Sequence, residues 1–251
     1  MLAAAAQSHP SQFNAATMPA SAVPVEAPSL GNLANAPVVI AGESPEETLA
    51  AETVDSLRQA FKSGKTKDVA WRKQQLLALQ RAVRENHEEI TAAVQADHGG
   101  AKLRGFMEMS GMLDNMALAL SSLDSWAADT QVEASAFGSL GSSAALRHEP
   151  KGVMLIVAPW NYPVAMCFDP LVAALAAGNC VVIKPSEIST NSAACVARLV
   201  HEYLDPACVR VIEGGIPITS ALLAQRWDHI MYTGNGNVGR VVLEVGLYNS
   251  R

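Results

Sequence analysis

The chain reads as an α/β protein, a Rossmann-like parallel sheet preceded by an N-terminal helical segment. Three observations predict this. Beyond residue 150, short apolar runs alternate with helical ones roughly every 25 residues, which specifies βαβ units with right-handed crossovers and helices on both faces. Before residue 130, apolar residues recur at three-and-four spacing, the period of helices that bury one face. Proline or glycine stands beyond each apolar run, at Pro159, Pro185, Gly214 and Gly234, where a chain leaving a sheet turns.

Composition bounds what such a fold can do. With 251 residues, 49% apolar and 17% charged, the chain can bury a core of ordinary size in one or two domains. Lys and Arg total 18 against 24 Asp and Glu, a net charge of -6, which excludes the basic footprint of a nucleic-acid binder. The acid excess sits at the front. Residues 1–57 contain Glu26, Glu43, Glu46, Glu47, Glu52 and Asp55, and the first basic side chain is Arg58. Residues 1–47, rich in Ala, Pro and Ser, are therefore expected to be a disordered leader. That leader lacks the arginines of a transit peptide and the positive start and apolar core of a secretory signal. No run reaches about 18 apolar residues, so no membrane segment is expected and the expected location is cytoplasmic. Cys167, Cys180, Cys195 and Cys208 show neither a Cys-x-x-Cys pair nor a nearby His, so they are read as reduced, mostly buried thiols and not as metal ligands.

In chain order, residues 48–130 are read as N-terminal helices. Val54, Leu57 and Phe61 mark the first, and Trp71, Leu76, Leu79, Val83, Ile90 and Val94 the second. Gly64 ends the first, Gly99 and Gly100 end the second, and residues 107–126 form a third, Met-rich stretch read as core packing. Residues 131–149, with Gly138, Gly141 and several serines, read as an extended excursion or hairpin of the kind that joins subunits. The βαβ region then occupies 150–251. Strands are expected at 152–158, 181–184, 208–212 and 229–232, with helices at 164–176, 189–203, 218–225 and from 238 onward. Ligands of such sheets bind beyond the carboxyl ends of the strands, so chemistry is sought there.

The four strand ends carry Ala158-Pro159-Trp160-Asn161-Tyr162-Pro163, Lys184-Pro185-Ser186-Glu187, Glu213-Gly214-Gly215, and Tyr232-Thr233-Gly234-Asn235-Gly236-Asn237-Val238-Gly239. The last is a glycine turn opening a helix, whose amide-lined positive end suits a pyrophosphate. It spells G-x-G-x-x-G, yet it follows the fourth strand instead of the first. In this order the motifs resemble the aldehyde dehydrogenase superfamily, over roughly residues 50 to 243. The segments from Leu175 to Glu187 and from Leu222 to Ile230 are similar to its class 3 and fatty aldehyde dehydrogenase branch.

The resemblance implies roles for individual residues. Asn161 matches the amide of an oxyanion hole, although an Asn here could instead cap the next helix. Lys184 and Glu187 match the pair that holds the adenosine ribose, where the alternative is a surface ion pair. Gly214, Gly234, Asn235 and Gly239 fall in the cofactor-binding turns. The family usually has Gly-Ser-Thr-x-x-Gly at the last turn, so Asn235 and Gly236 replace a hydroxyl pair. Tyr162 and Met166 would line the aldehyde tunnel, with core packing accounting equally well for Met166. Cys167 is adjacent, but no base is specified near it. The implied cofactor is NAD, with NADP as the other candidate, since a carboxylate at Glu187 would repel a 2′-phosphate while this branch often accepts both. The implied partner is a small-molecule aldehyde, and the complete family forms homo-oligomers.

The family's general base, in a Glu-Leu-Gly-Gly-Lys segment, and its nucleophilic cysteine have no counterpart among these 251 residues. The expectation is an incomplete cofactor-binding domain that does not oxidise an aldehyde by itself. The alternative is a non-catalytic nucleotide-binding or interaction protein that pairs with full-length subunits.

Overall fold

Ser44 begins the described part of the chain as a helix cap. Its side chain accepts the Glu47 amide at 3.1 Å while the Glu47 carboxylate reaches back to the Ser44 amide, and Pro45 sits at the first helical position. Helix α1 (Pro45–Lys62) therefore starts slightly before residue 48. The computed structural model describes residues 44–100, 102–132 and 143–249, all within the unit Ala41–Arg251. The expected leader lies, up to residue 43, outside the described residues.

After Gly64, in a left-handed conformation at φ 80°, a short 3-10 turn leads to α2 (Val69–Glu85), α3 (His87–His98) and α4 (Leu103–Ala127). The single second helix expected from periodicity is two helices. Asn86 divides them: its amide donates to the Ala82 carbonyl and to the Tyr203 hydroxyl, and its oxygen accepts from Arg198. The break is anchored by residues more than a hundred positions away, so the local pattern does not reveal it. Strands β1 (Thr130–Val132) and β2 (Ala144–Leu146) form an exposed antiparallel pair within the expected excursion, whose central residues 133–142 lie outside the described set.

The expected Rossmann-like sheet follows. It comprises β3 (Val153–Val157), β4 (Cys180–Lys184), β5 (Val209–Val211) and β6 (His229–Tyr232), parallel throughout, in the order β5-β4-β3-β6. The crossovers are α5 (Ala165–Ala177), α6 (Thr190–Tyr203) and α7 (Ile216–Leu223), and α8 (Gly236–Asn249) follows β6. The chain steps outward from β3 to β5 through α5 and α6, then returns past β3 through α7. With right-handed crossovers, that reversal puts α5 and α6 on one face and α7 on the other. Helix α1 packs beside α7, whereas α2, α3 and α4 pack against α5 and α6.

Strands β3 and β4 are buried along their whole length, consistent with their unbroken runs Val-Met-Leu-Ile-Val and Cys-Val-Val-Ile-Lys. Leu155, opposite Val182 and Ile230, lies at the centre of the core with Phe168, Leu171 and Leu175 of α5. Gly178, left-handed at φ 86°, ends α5, and a side chain there would strike the buried Arg72 guanidinium. That guanidinium donates to the Thr66, Lys67 and Ala176 carbonyls and so ties the 3-10 turn to α5.

Candidate functional site

The sheet order creates a crevice. Where strands depart from β3 in opposite directions, the loops beyond their carboxyl ends diverge and leave room for a ligand. A cavity of about 430 Å³ lies there, walled by the β3 end through Trp160, by Lys184, Ser186 and Glu187 after β4, by α7, and by the stretch from Tyr232 to Asn235 with Val238 and Val241 of α8.

Lys184 is the last residue of β4, its side chain only 4% exposed, and its ammonium meets Glu187 Oε2 at 2.6 Å. An ammonium has three donors, so two remain beyond the one given to Glu187. Burial pushes the Glu187 carboxyl up, but the Lys184 hydrogen bond, a backbone amide and the Lys184 charge together outweigh it and hold the group below the usual carboxylate range. The β6 turn is shaped by Tyr232, whose hydroxyl donates to the Asn235 carbonyl at 3.1 Å. A Cβ at Gly234 would lie 2.1 Å from that hydroxyl, so close approach demands glycine there. At Gly239 an added Cβ would meet Tyr232 at an ordinary 3.5 Å, and at Gly236 it would meet nothing. Asn235 Oδ1 accepts the Val238 amide at 3.0 Å and caps α8, whose amino end thereby opens on the cavity.

Asn161 and Tyr162 belong to a neighbouring feature, the turn between β3 and α5, which adjoins the cavity through Trp160, and Met166 stands in the first turn of α5. Asn161 and Tyr162 are exposed, and Met166 is half-buried. The turn is gripped from α3 and α4. The Arg104 guanidinium donates to the Asn161 carbonyl and lies 5.5 Å over the Tyr162 ring, and the His98 ring packs at 6.0 Å on Trp160. The α5 amino end is capped by Glu108, whose Oε2 accepts the Val164 and Ala165 amides at 3.2 and 3.0 Å. Glu108 thus takes the capping place considered for Asn161. Burial raises the Glu108 carboxyl above its usual range against the opposing pull of those two amides and of Arg104.

The cavity therefore unites Lys184, Glu187, Gly234 and Asn235, with Gly239 one turn along α8. Gly214 is not in its wall. It supports α7 from below, at φ 138° with Ile218 Cγ2 only 2.5 Å from where a Cβ would stand. Cys167 is fully buried, and that burial pushes its thiol up to about 12. Ser186, Thr219 and Ser220 in the wall, and Arg104 and Glu108 behind the turn, were not singled out from sequence. A carboxylate buried in the Met-rich stretch of α4 was the one available signal, since an acid within an apolar face requires a partner.

The family model for the aldehyde dehydrogenase family matches residues 32–248. The chain belongs to the aldehyde dehydrogenase family. Among curated relatives, aldehyde dehydrogenase family 3 member I1, chloroplastic, from Arabidopsis thaliana is 41% identical over 201 residues, 80% of this chain and 36% of that protein. The dimeric NADP-preferring aldehyde dehydrogenase of Canis lupus familiaris is 42% identical over 194 residues, 77% of this chain and 43% of that one. The substrate-bound AldH of Staphylococcus aureus superposes with a TM-score of 0.77 at 32% identity, covering 79% of this chain and 43% of that chain. Family 3 is the branch that the motifs resemble, and the chain spans about two fifths of the length of the curated relatives it matches. Among the described residues, no helix is long and apolar enough to cross a membrane.

Proposed function

We propose that this chain is the cofactor-binding part of an aldehyde dehydrogenase and binds a nicotinamide dinucleotide in the switch-point cavity. The observation that carries the reading is the buried Lys184 ammonium, paired with Glu187 at 2.6 Å and facing a cavity opposite the amino end of α8. Lys184 donates to the adenosine ribose hydroxyls and Glu187 accepts from them. The first-turn amides of α8 receive the pyrophosphate, and the Asn235 amide group remains a donor after its oxygen caps the helix. Gly234 lets the turn approach the phosphates, while Gly214 and Gly239 shape the helices that frame them. When bound, the dinucleotide supplies a two-electron acceptor.

In this reading Asn161 donates its side-chain amide to the oxygen that gains charge when a nucleophile adds to an aldehyde. Tyr162 and Met166 line the approach of that aldehyde. Cys167, the cysteine nearest the turn, is buried and held as a thiol. We therefore infer that these residues bind the cofactor without turning over an aldehyde by themselves, the complete protein oxidising the aldehyde to a carboxylic acid through a cysteine thiohemiacetal. A homo-oligomer is proposed for the complete protein, in keeping with the dog relative named as dimeric.

The test is a titration of the folded chain with NAD+ and NADP+, read by calorimetry and by quenching of Trp160 in the cavity wall. Saturable binding is expected, weakened about tenfold or more by Lys184→Met, as loss of a charged hydrogen bond requires. Glu187→Gln should narrow the preference for NAD+ over NADP+, because it removes the charge that repels a 2′-phosphate. Absence of saturable binding, or binding indifferent to Lys184→Met in a variant with native circular dichroism, would overturn the reading.

A further inference from the structure

At the opposite end of β4 from Lys184 lies a pair of thiols that the nucleotide reading does not use. Cys180 opens β4, and Cys208 immediately precedes β5. Val181 is in register with Val209, and its amide donates to the Cys208 carbonyl at 2.8 Å, which sets the two cysteines side by side. In-register residues of adjacent parallel strands point to the same face, and such strands run about 4.8 Å apart. That spacing falls within the Cα separation a disulfide accepts, about 4.4–6.8 Å. Both side chains are fully buried. Cys167 and Cys195, by contrast, lie on α5 and α6.

The surroundings make the two sulfurs unequal. An ion pair between Lys65 and Asp205 lies beside them, its lysine side chain 48% exposed and its aspartate 14%. The neighbouring Cys180 thiol holds the Cys208 thiol below the ordinary thiol range, with Lys65 adding its positive charge, against burial and the nearby Asp205. Cys180 is pushed up by the same pairing and by burial. One sulfur is thus the readier nucleophile, and its neighbour stands ready to resolve it.

We propose that Cys180 and Cys208 form a redox-active dithiol that small hydroperoxides oxidise to a cross-strand disulfide between β4 and β5. The Cys208 thiolate attacks the peroxide, the O–O bond breaks, and Cys208 becomes a sulfenic acid while the departing oxygen takes a proton and leaves as water or, from an organic hydroperoxide, as an alcohol. The Cys180 sulfur then attacks the sulfenic sulfur, the S–S bond forms, and the hydroxyl leaves as water with the Cys180 proton. Two thiols have lost two electrons and the peroxide has gained them. Lys65 is half exposed at the protein surface, and its charge favours the attacking thiolate.

The experiment uses the full chain, natively folded, exposed to hydrogen peroxide, quenched, unfolded in the presence of an alkylating agent, and mapped by tandem mass spectrometry. A peptide pair joined through Cys180 and Cys208 is expected, two hydrogens lighter than the sum of the reduced peptides and separated again by dithiothreitol, with Cys167 and Cys195 recovered as alkylated thiols. Recovery of Cys180 and Cys208 as alkylated thiols or as sulfinic acids, or their linkage to Cys167 or Cys195, would overturn the proposal. The same chain with Cys167→Ala and Cys195→Ala, folded by circular dichroism, should close at the wild-type rate. Lys65→Met should close several-fold more slowly, and an unchanged rate would remove Lys65 from the proposal.

Discussion

Gly152 and Asp228 meet where β3 begins. Gly152 has φ 141°, a left-handed value that side chains resist, and an added Cβ would lie 2.1 Å from Asp228 Oδ2. The same oxygen accepts the Val153 amide at 2.8 Å and the Arg58 guanidinium at 3.0 Å, so it fastens the central strand to α1 and to the start of β6. Gly152→Ala is therefore expected to destabilise the fold by about 1–3 kcal/mol, the range for backbone strain of this kind. Gly111, inside α4 with nothing within 4 Å of its would-be Cβ, is the contrasting case. Gly111→Ala should stabilise by about 0.5–1 kcal/mol through helix propensity. Urea unfolding of the two variants beside the wild type checks both, and equal midpoints would contradict them.

At the scale of the element, α5 and α6 share one device. Neither is capped by a side chain at its own N-cap position. Glu108 of α4 caps the first, and Asp97 of α3 caps the second, accepting the Asn191 and Ser192 amides at 3.0 and 2.7 Å and the Asn191 side-chain amide at 2.8 Å. Each carboxylate meets the positive end of a helix dipole, so it stabilises the helix and fixes the angle at which α3 or α4 packs on it. Burial pushes the Asp97 carboxyl up, but the Ser192 and Asn191 donors outweigh it and leave the group below its ordinary value of 3.8. A depressed carboxylate contributes stability in full above its unfolded value and loses it as the pH falls through the folded one. Asp97→Ala should thus cost about 1 kcal/mol at neutral pH. That cost should shrink as the pH is lowered below 3.8, and urea midpoints of both proteins across this range measure it. A gap that stays constant into acid would contradict the charged cap.

Across the whole molecule, burial falls from the centre of the sheet outward. β3 and β4 are buried at every position, whereas β6 alternates between exposed and half-buried and, among the described residues, pairs only with β3. Hydrogen exchange should therefore be slowest for the amides of β3 and β4 and at least about tenfold faster in β6, because local opening there exposes little apolar surface. Uniform protection across the four strands would contradict this gradient. The sequence by itself determined the alternation of strands and helices and the residues at the strand ends, including Lys184 and Glu187 three positions apart. Those features depend on local periodicity and turn chemistry, which act between near neighbours in the chain. The split at Asn86, the caps supplied by Asp97 and Glu108, the Arg104 grip on the Asn161 turn, and the adjacency of Cys180 and Cys208 were decided by tertiary structure. Asp97 and Ser192 are 95 residues apart, and Arg104 and Asn161 are 57. Only the order of the strands and the packing of α3 and α4 against α5 and α6 bring such residues together, and no local pattern encodes a contact whose two halves are set by the burial of a common core.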